Sequence, residues 1–279
     1  MNSTKDIELK IKKFEDIKKI VISMKSIASL NLQKAQHLIH SLRDYESEIT
    51  DSLQKILSFY PEISLSFKEG RKAVIVYGSD QGLCGLFNEK IGKEVRSRFS
   101  QDREFSGYII VGKKLDDIIS DRKFKTFSSP VDYDSIYSYA SELISYITEL
   151  YITESINEIY VAYNQFTGVG RYKPVVKKII PFEIERKNLY RYPPVVDIDP
   201  ARILSDIIIE YIFANIYRSY LESFLSENGV RLMNMDNASK SIERNIKTLE
   251  IERNYFRQEE ITDEIQEIIS AYRVLMGER

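Results

Sequence analysis

The chain has 279 residues, 43% of them hydrophobic and 29% charged, the composition of a folded chain rather than a disordered one. Its 40 basic and 42 acidic side chains leave a formal net charge of −2 with both signs interspersed, which argues against a nucleic-acid binder, whose phosphate-seeking surface needs a basic excess. A single cysteine, Cys84, excludes an intramolecular disulfide and fits a reducing compartment.

No run of about 18 apolar residues is present to span a membrane. Met1–Lys13 is charged from the start, unlike a secretory leader, and is not the Arg- and Ser-rich, acid-poor segment of a transit peptide, so a bacterial cytoplasmic protein is the expectation.

The first stretch holds no proline before Pro61 and no glycine before Gly70. Apolar residues recur there at Ile7, Ile11, Phe14, Ile17, Val21, Met24, Ala28, Leu32, Ala35, Leu38, Leu42, Tyr45, Ile49, Leu53 and Ile56. Steps of three and four make a helical stripe narrow enough for a coiled-coil seam. Ser3 or Thr4 is placed to cap it, with Asp6 in the first turn. At about 1.5 Å per residue, residues 4–57 make a rod of roughly 80 Å.

The middle of the chain changes period. Lys72–Gly78 (KAVIVYG) reads as a buried strand ending in glycine, followed by a turn and a helix over Asn88–Phe99. Then come a strand at Tyr108–Gly112, a short helix near Lys113–Ser120, a strand near Lys123–Phe127 and a helix over Ser135–Tyr151. Two more strands follow at Glu158–Asn164 and Val175–Ile180. Strands alternating with helices predict a small, mainly parallel α/β sheet of the doubly wound type. Residues 181–199 carry three of the seven prolines and read as a linker.

A second long helix follows, with Asp199 as its cap and Pro200 at the favoured first position. Its stripe runs through Ile203, Ile207, Tyr211, Ala214, Tyr217, Leu221, Leu232, Met235, Ile242, Ile246 and Leu249, and resumes at Phe256, Ile261, Ile265, Ile268, Tyr272 and Leu275. Gly229 bends or relaxes this helix at a cost of about 1 kcal/mol without ending it. A narrow seam cannot be buried by one helix alone, so the two terminal helices are natural partners. The expected fold is an α/β domain inserted into a long antiparallel coiled coil: residues 1–60 as the N-terminal helix, 70–182 as the globular domain and 200–279 as the C-terminal helix.

Candidate chemistry is sparse. Gly78–Asn88 (GSDQGLCGLFN) is a glycine-bearing strand-to-helix loop where a phosphate could meet backbone N–H groups, but its spacing matches neither a dinucleotide fingerprint nor a phosphate loop. A tight turn with Gly78, Gly82 and Gly85 at positive φ is the favoured reading. Cys84 has no histidine near it in sequence to act as base, and His37 and His40, three apart on the rod, lack a third metal ligand. No catalytic, cofactor or metal residue is assigned. Lys10, Lys12, Lys13, Lys18, Lys19, Lys25 and Lys34 load the first half of the first rod, as a solvated face or as a surface for acidic partner subunits.

Three segments together resemble the gamma subunit family of F-type ATP synthases. Lys19–Gln36 (KIVISMKSIASLNLQKAQ) is similar to the family pattern K-I-T-x-A-M followed by V-A-A-S-K-M-R-K-A-Q, matching at Lys19, Ile20, Met24, Ala28, Lys34, Ala35 and Gln36. Ser79–Asn88 (SDQGLCGLFN) is similar to S-D-R-G-L-C-G-G-L-N, and Ile261–Ala271 (ITDEIQEIISA) to I-T-x-E-[IL]-x-E-I-[IV]-x-G-A. The three stand in the family's order across the whole chain. Departures fall at Asn31 and Gln33, where the family has basic residues, at Gln81 for arginine, and at Leu86 and Ser270 for glycine.

The resemblance implies a non-catalytic central stalk, a rotor shaft that couples ion-driven rotation of a membrane ring to the conformational cycle of a catalytic head. Implied partners are the alpha and beta subunits of that head, the epsilon subunit and the ring of c subunits, with one copy of this chain per complex, no nucleic acid and no membrane span of its own. The implied place is the cytoplasmic face of the bacterial inner membrane. Partner contacts are expected from Lys18, Lys19, Met24, Lys25, Lys34, Gln36, Asp80, Gln81, Ile261, Thr262, Glu264 and Ile268. A gamma-like shaft of a specialised ATPase, a non-rotary coiled-coil scaffold and a nucleotide-dependent enzyme built on the middle domain remain as alternatives; the last lacks convergent acid, base and ligand groups.

Overall fold

The computed structural model describes residues 4–60, 70–130, 132, 134–154, 156–182 and 192–275, the side chains at 274 and 275 excepted. The elements in chain order are α1 (Thr4–Phe59), β1 (Arg71–Tyr77), α2 (Phe87–Phe99), β2 (Phe105–Val111), α3 (Lys113–Asp116), β3 (Lys123–Phe127), α4 (Ile136–Thr153), β4 (Ile156–Gly168), β5 (Arg171–Ile180) and α5 (Pro200–Leu275). The chain divides into two compact units, Met1–Ile27 with Asn234–Arg279, and Ala28–Met233.

In the larger unit the strands order as β3-β2-β1-β4-β5. β1 pairs in parallel with β2 and β4, β2 in parallel with β3, and β4 antiparallel with β5, giving a mixed sheet. The central strands are buried on both faces, which is why β1 reads as a continuous apolar run. Ala73, Ile75 and Tyr77 of β1 pack with α4 and parts of α1 and α5, while Val74 and Val76 pack with Ile91, Val95 and Phe99 of α2 and Leu115 of α3. Helices therefore cover both faces, as the alternating pattern predicts.

Two local outcomes differ from expectation. The short helix near Lys113–Ser120 closes at Asp116. The last two strands are longer than read, 13 and 10 residues, and join through Val169 and Gly170 into a hairpin. The sequence hid this because residues 165–174 mix polar side chains, two glycines and a proline. Pro174 is tolerated because β5 is an edge strand, where a missing N–H need cost no ladder bond.

Helix α5 begins as its sequence signal says. The Asp199 Oδ1 accepts the Ala201 N–H at 3.1 Å, capping a helix whose first residue is Pro200. It runs unbroken through Gly229. A Cβ at Gly229 would lie 3.4 Å from the Gly170 nitrogen and from Phe166 Cε2, so this glycine lets the helix lie close against the β4–β5 hairpin.

Burial along α1 follows a stricter rhythm than apolarity alone gives. Inward positions fall at Ile7, Ile11, Phe14, Lys18, Val21, Lys25, Ala28, Leu32, Ala35, Ile39, Leu42, Glu46, Ile49, Leu53 and Ile56, in steps of four and three. Ile17 and Tyr45, read as stripe residues, are 48% and 41% exposed. Lys18 and Glu46 take their places because each finds an acid or base facing it, described below.

The smaller unit has its own apolar cluster. Val21 of α1 packs with Met235 and Ile242 of α5, flanked by Phe14, Met24, Ala238 and Ile246.

Candidate functional site

Three places hold the residues singled out by sequence. In the smaller unit, Lys18 Nζ meets Glu243 Oε1 at 2.9 Å and Lys25 Nζ meets Asp236 Oδ1 at 2.7 Å. The second pair stands seven residues on along α1 and seven back along α5, so both belong to one antiparallel register. Lys240 also binds Asp236, at 2.6 Å, and hydrogen bonds from Lys240 and then Lys25 hold the Asp236 carboxyl at about 2. Met24 packs against the neighbouring apolar cluster. Lys18, Met24 and Lys25 therefore face α5, while Lys19 is exposed and pairs with Asp16 beside it, at 3.0 Å.

Further along α5 in the same unit, the third motif is exposed throughout. Ile261, Ile265 and Ile268 present large apolar side chains to solvent, with Ile268 at 69% exposure. Thr262 donates its hydroxyl back to the Gln258 carbonyl at 2.8 Å, and Glu264 is exposed. Every residue over 261–273 is exposed. Among the described residues nothing buries these apolar side chains.

In the larger unit the loop 78–86 ends β1 and leads into α2. Several of its polar atoms bond within the chain. The Ser79 N–H donates to Asn88 Oδ1 at 3.0 Å, Asn88 Nδ2 donates to Ser79 Oγ at 2.9 Å, and Ser79 Oγ donates to the Gln81 carbonyl at 3.0 Å. Asp80 Oδ1 accepts the Lys113 N–H at 2.7 Å. Arg231 of α5 reaches the carbonyls of Gln81 and Gly82 at 3.2 and 3.4 Å while bonding Glu227 at 2.6 Å. Burial pushes the Glu227 carboxyl up against the pull of Arg231.

The loop's conformation differs from the expected turn. Of Gly78, Gly82 and Gly85, only Gly85 has positive φ, at 61°, and Leu83 takes the other left-handed position at 67°. Gly78 is required by space instead, since a Cβ there would sit 2.5 Å from the Leu115 Cβ. Leu83 and Leu86 stand exposed. Burial first, offset in part by Ser79, pushes the Cys84 thiol up, which makes it a poor nucleophile. Lys34 lies 3.6 Å from Asp134, and Gln36 is half-buried. Among the described residues no three His, Cys, Asp or Glu side chains gather as metal ligands, His37 and His40 included. No described helix is long and apolar enough to cross a membrane.

Sequence reasoning missed a buried ionic network in this unit. Glu222 of α5, fully buried, accepts from Arg43 of α1 at 2.9 Å and from the Phe166 N–H of β4 at 3.0 Å. Glu46 of α1 binds Arg218 of α5 and Lys177 of β5, the latter at 2.7 Å. Burial pushes the Glu46 carboxyl up, but bonds from Lys177 and Arg218 outweigh it and hold it below its usual range. The available signal was the four-three repeat itself, which places Glu46 at an inward position.

Comparison with known proteins names the family. The family model described as ATP synthase matches residues 3–275. The chain is 30% identical to the ATP synthase gamma chain of Pelotomaculum thermopropionicum, over 99% of this chain and 100% of that one. It is also 30% identical to the gamma chain of Fusobacterium nucleatum, again over 99% and 100%. Among solved structures, the Euglena gracilis mitochondrial ATP synthase (OSCP/F1/c-ring, rotational state 3) has a chain similar in fold at a TM-score of 0.69, with 14% identity and coverage of 98% of this chain and 95% of that one. The central stalk and c-ring of the Tetrahymena thermophila mitochondrial ATP synthase has one at a TM-score of 0.58, with 18% identity and coverage of 79% and 99%. With the family model matching residues 3–275 and full-length kinship to gamma chains, the chain belongs to the ATP synthase family as a gamma chain, the non-catalytic subunit of the central stalk.

Proposed function

We propose that this chain is the rotor shaft of a membrane-bound ATP synthase and couples ion-driven rotation of a c-ring to conformational cycling of the F1 head. The observation that carries the reading is the exposed apolar stretch 261–272, whose isoleucines need a partner outside the chain. In the proposal this stretch turns inside a sleeve formed by the alpha and beta subunits. Thr262 and Glu264 lie on the same segment, and Lys19, Lys34, Gln36, Asp80 and Gln81 are further contact candidates on accessible surfaces. Lys18, Met24 and Lys25 act through the pairing of α1 with α5 rather than as free contacts.

We further read α1 and α5 as an antiparallel coiled coil, with residues 70–182 as the inserted head, 1–60 and 200–279 as its helices. The four-three burial rhythm of α1 and the paired lysines support this. The inserted domain then meets the c-ring and the epsilon subunit, one copy of the chain per complex, at the cytoplasmic face of the membrane. Torque reaches the catalytic sites as differential contact energy: each shaft orientation favours one conformation of each site over the others.

Inserting four residues after Ala238 tests this. The insertion turns every later α5 side chain by only about 40° but moves it about 6 Å along α1, breaking the register of Lys18 with Glu243, and the account expects ATP turnover to lose its link to ion pumping in the intact complex. A complex that pumps with undiminished efficiency after the insertion contradicts the shaft.

A further inference from the structure

The larger unit joins a sheet to parts of two helices, and one apolar cluster runs through all three. Apolar contact is non-directional. It resists separation well and sliding poorly, whereas a shaft must resist sliding above all. Charge-assisted hydrogen bonds have fixed directions and are roughly twice as strong as neutral ones.

Such bonds are laid where the three elements meet. Glu222 stands on α5 at 0% exposure. One carboxylate oxygen takes the Arg43 guanidinium of α1 at 2.9 Å, with Arg218 Nε at 3.7 Å. The other takes the Phe166 N–H of β4 at 3.0 Å. Glu46 repeats the arrangement from α1: it receives Lys177 of β5 at 2.7 Å and Arg218 of α5. Lys177 closes the circuit at Asn215 Oδ1 of α5, 2.6 Å away. Each of the three contacts, α1 to α5, α5 to the hairpin and the hairpin to α1, therefore has its own charged tie.

We propose that Glu222 is a positioning residue that locks the β4–β5 hairpin to both long helices, so that torque entering the sheet passes into the helices without slip. The proposal rests on the shaft reading above and names the side chain on which transmission depends. Glu222 is fully buried within the chain. Its carboxylate fixes the direction in which three elements are held, and Glu46 braces the same joint from the opposite helix.

A purely structural role for Glu222 makes a different forecast, and one double variant separates the two. Arg43→Met with Glu222→Gln removes both charges of the pair, keeps an acceptor for the Phe166 N–H and leaves no unpaired buried charge, so folding is retained. In the intact complex reconstituted into sealed vesicles, ATP turnover should stay within about twofold of the parent. Ions pumped per ATP against an opposing gradient should fall by about fivefold or more, the lower end of a usual coupling effect.

Parent-like pumping per ATP in this variant overturns the lock. If the double variant does not assemble, Glu222→Gln alone, nearly isosteric, is measured by the same ratio, and parent-like pumping overturns the lock there too. The insertion after Ala238 separates failure of the lock from failure of the shaft. If the insertion uncouples and the Glu222 variants do not, the lock alone fails; if neither uncouples, the shaft fails with it.

Discussion

Two stretches of α5 invert the usual relation between hydropathy and burial. Residues 219–231 are all buried although they include Glu222, Glu227, Asn228 and Arg231. Residues 261–273 are all exposed although they include Ile261, Ile265, Ile268 and Ile269. The first stretch keeps its charges inside because each has a partner within the chain: Glu222 has Arg43 and the Phe166 N–H, and Arg231 has Glu227 and two loop carbonyls. The second keeps its isoleucines outside, which a chain tolerates when another molecule covers them. One helix is thus an internal joint at one place and, in the proposed shaft, a surface for other subunits at another.

Breaking the joint has the largest expected effect on stability. Glu222→Leu leaves the Phe166 N–H without its acceptor and half-exposed Arg43 without its carboxylate, and urea unfolding of the full chain should show a loss of up to about 3 kcal/mol. The joint is also acid-sensitive. Because the folded Glu46 carboxyl lies below its unfolded value of 4.5, its contribution is full above that pH and is lost as pH falls through the lower, folded value. Glu46→Gln should flatten the acid limb of the stability curve, and an unchanged limb would remove Glu46 from the network.

Smaller effects should follow at the edges of the joint. Gly170→Ala places a Cβ at φ +73° and 2.6 Å from the Met233 Sδ, a flexible neighbour, and should cost about 2 kcal/mol by the same unfolding assay. Asp199→Ala removes the cap from the Ala201 N–H and should cost about 1 kcal/mol. At the other extreme, Ile265→Ser with Ile268→Ser should move the stability of the isolated chain by less than about 0.5 kcal/mol. The same pair of changes should weaken association with the catalytic head in a pull-down of purified subunits. A large loss of chain stability from it would mean that the exposed stripe is covered from within.

Much of the fold is legible in the sequence because its signals are local. The run Lys72–Gly78 reports β1, Lys123–Phe127 coincides with β3, and Asp199 with Pro200 marks the start of α5. The joint was not legible. Arg43, Phe166 and Glu222 lie far apart in sequence, and nothing local says that a glutamate in a helix will be fully buried. Lys18 and Glu46 escaped for a related reason: a search for apolar stripes steps around charged residues, while the backbone rhythm of four and three does not. The loop glycines were read as conformational, and Gly78 proved to be a matter of room beside Leu115.

The central claim is that this chain turns as a shaft. Val195, 96% exposed, offers a place for a probe through Val195→Cys, with the buried Cys84 left unlabelled. With the catalytic head fixed to a surface and ATP supplied, the account predicts that the probe rotates continuously in one direction while ATP is consumed. A probe that stays still during sustained ATP turnover would contradict it.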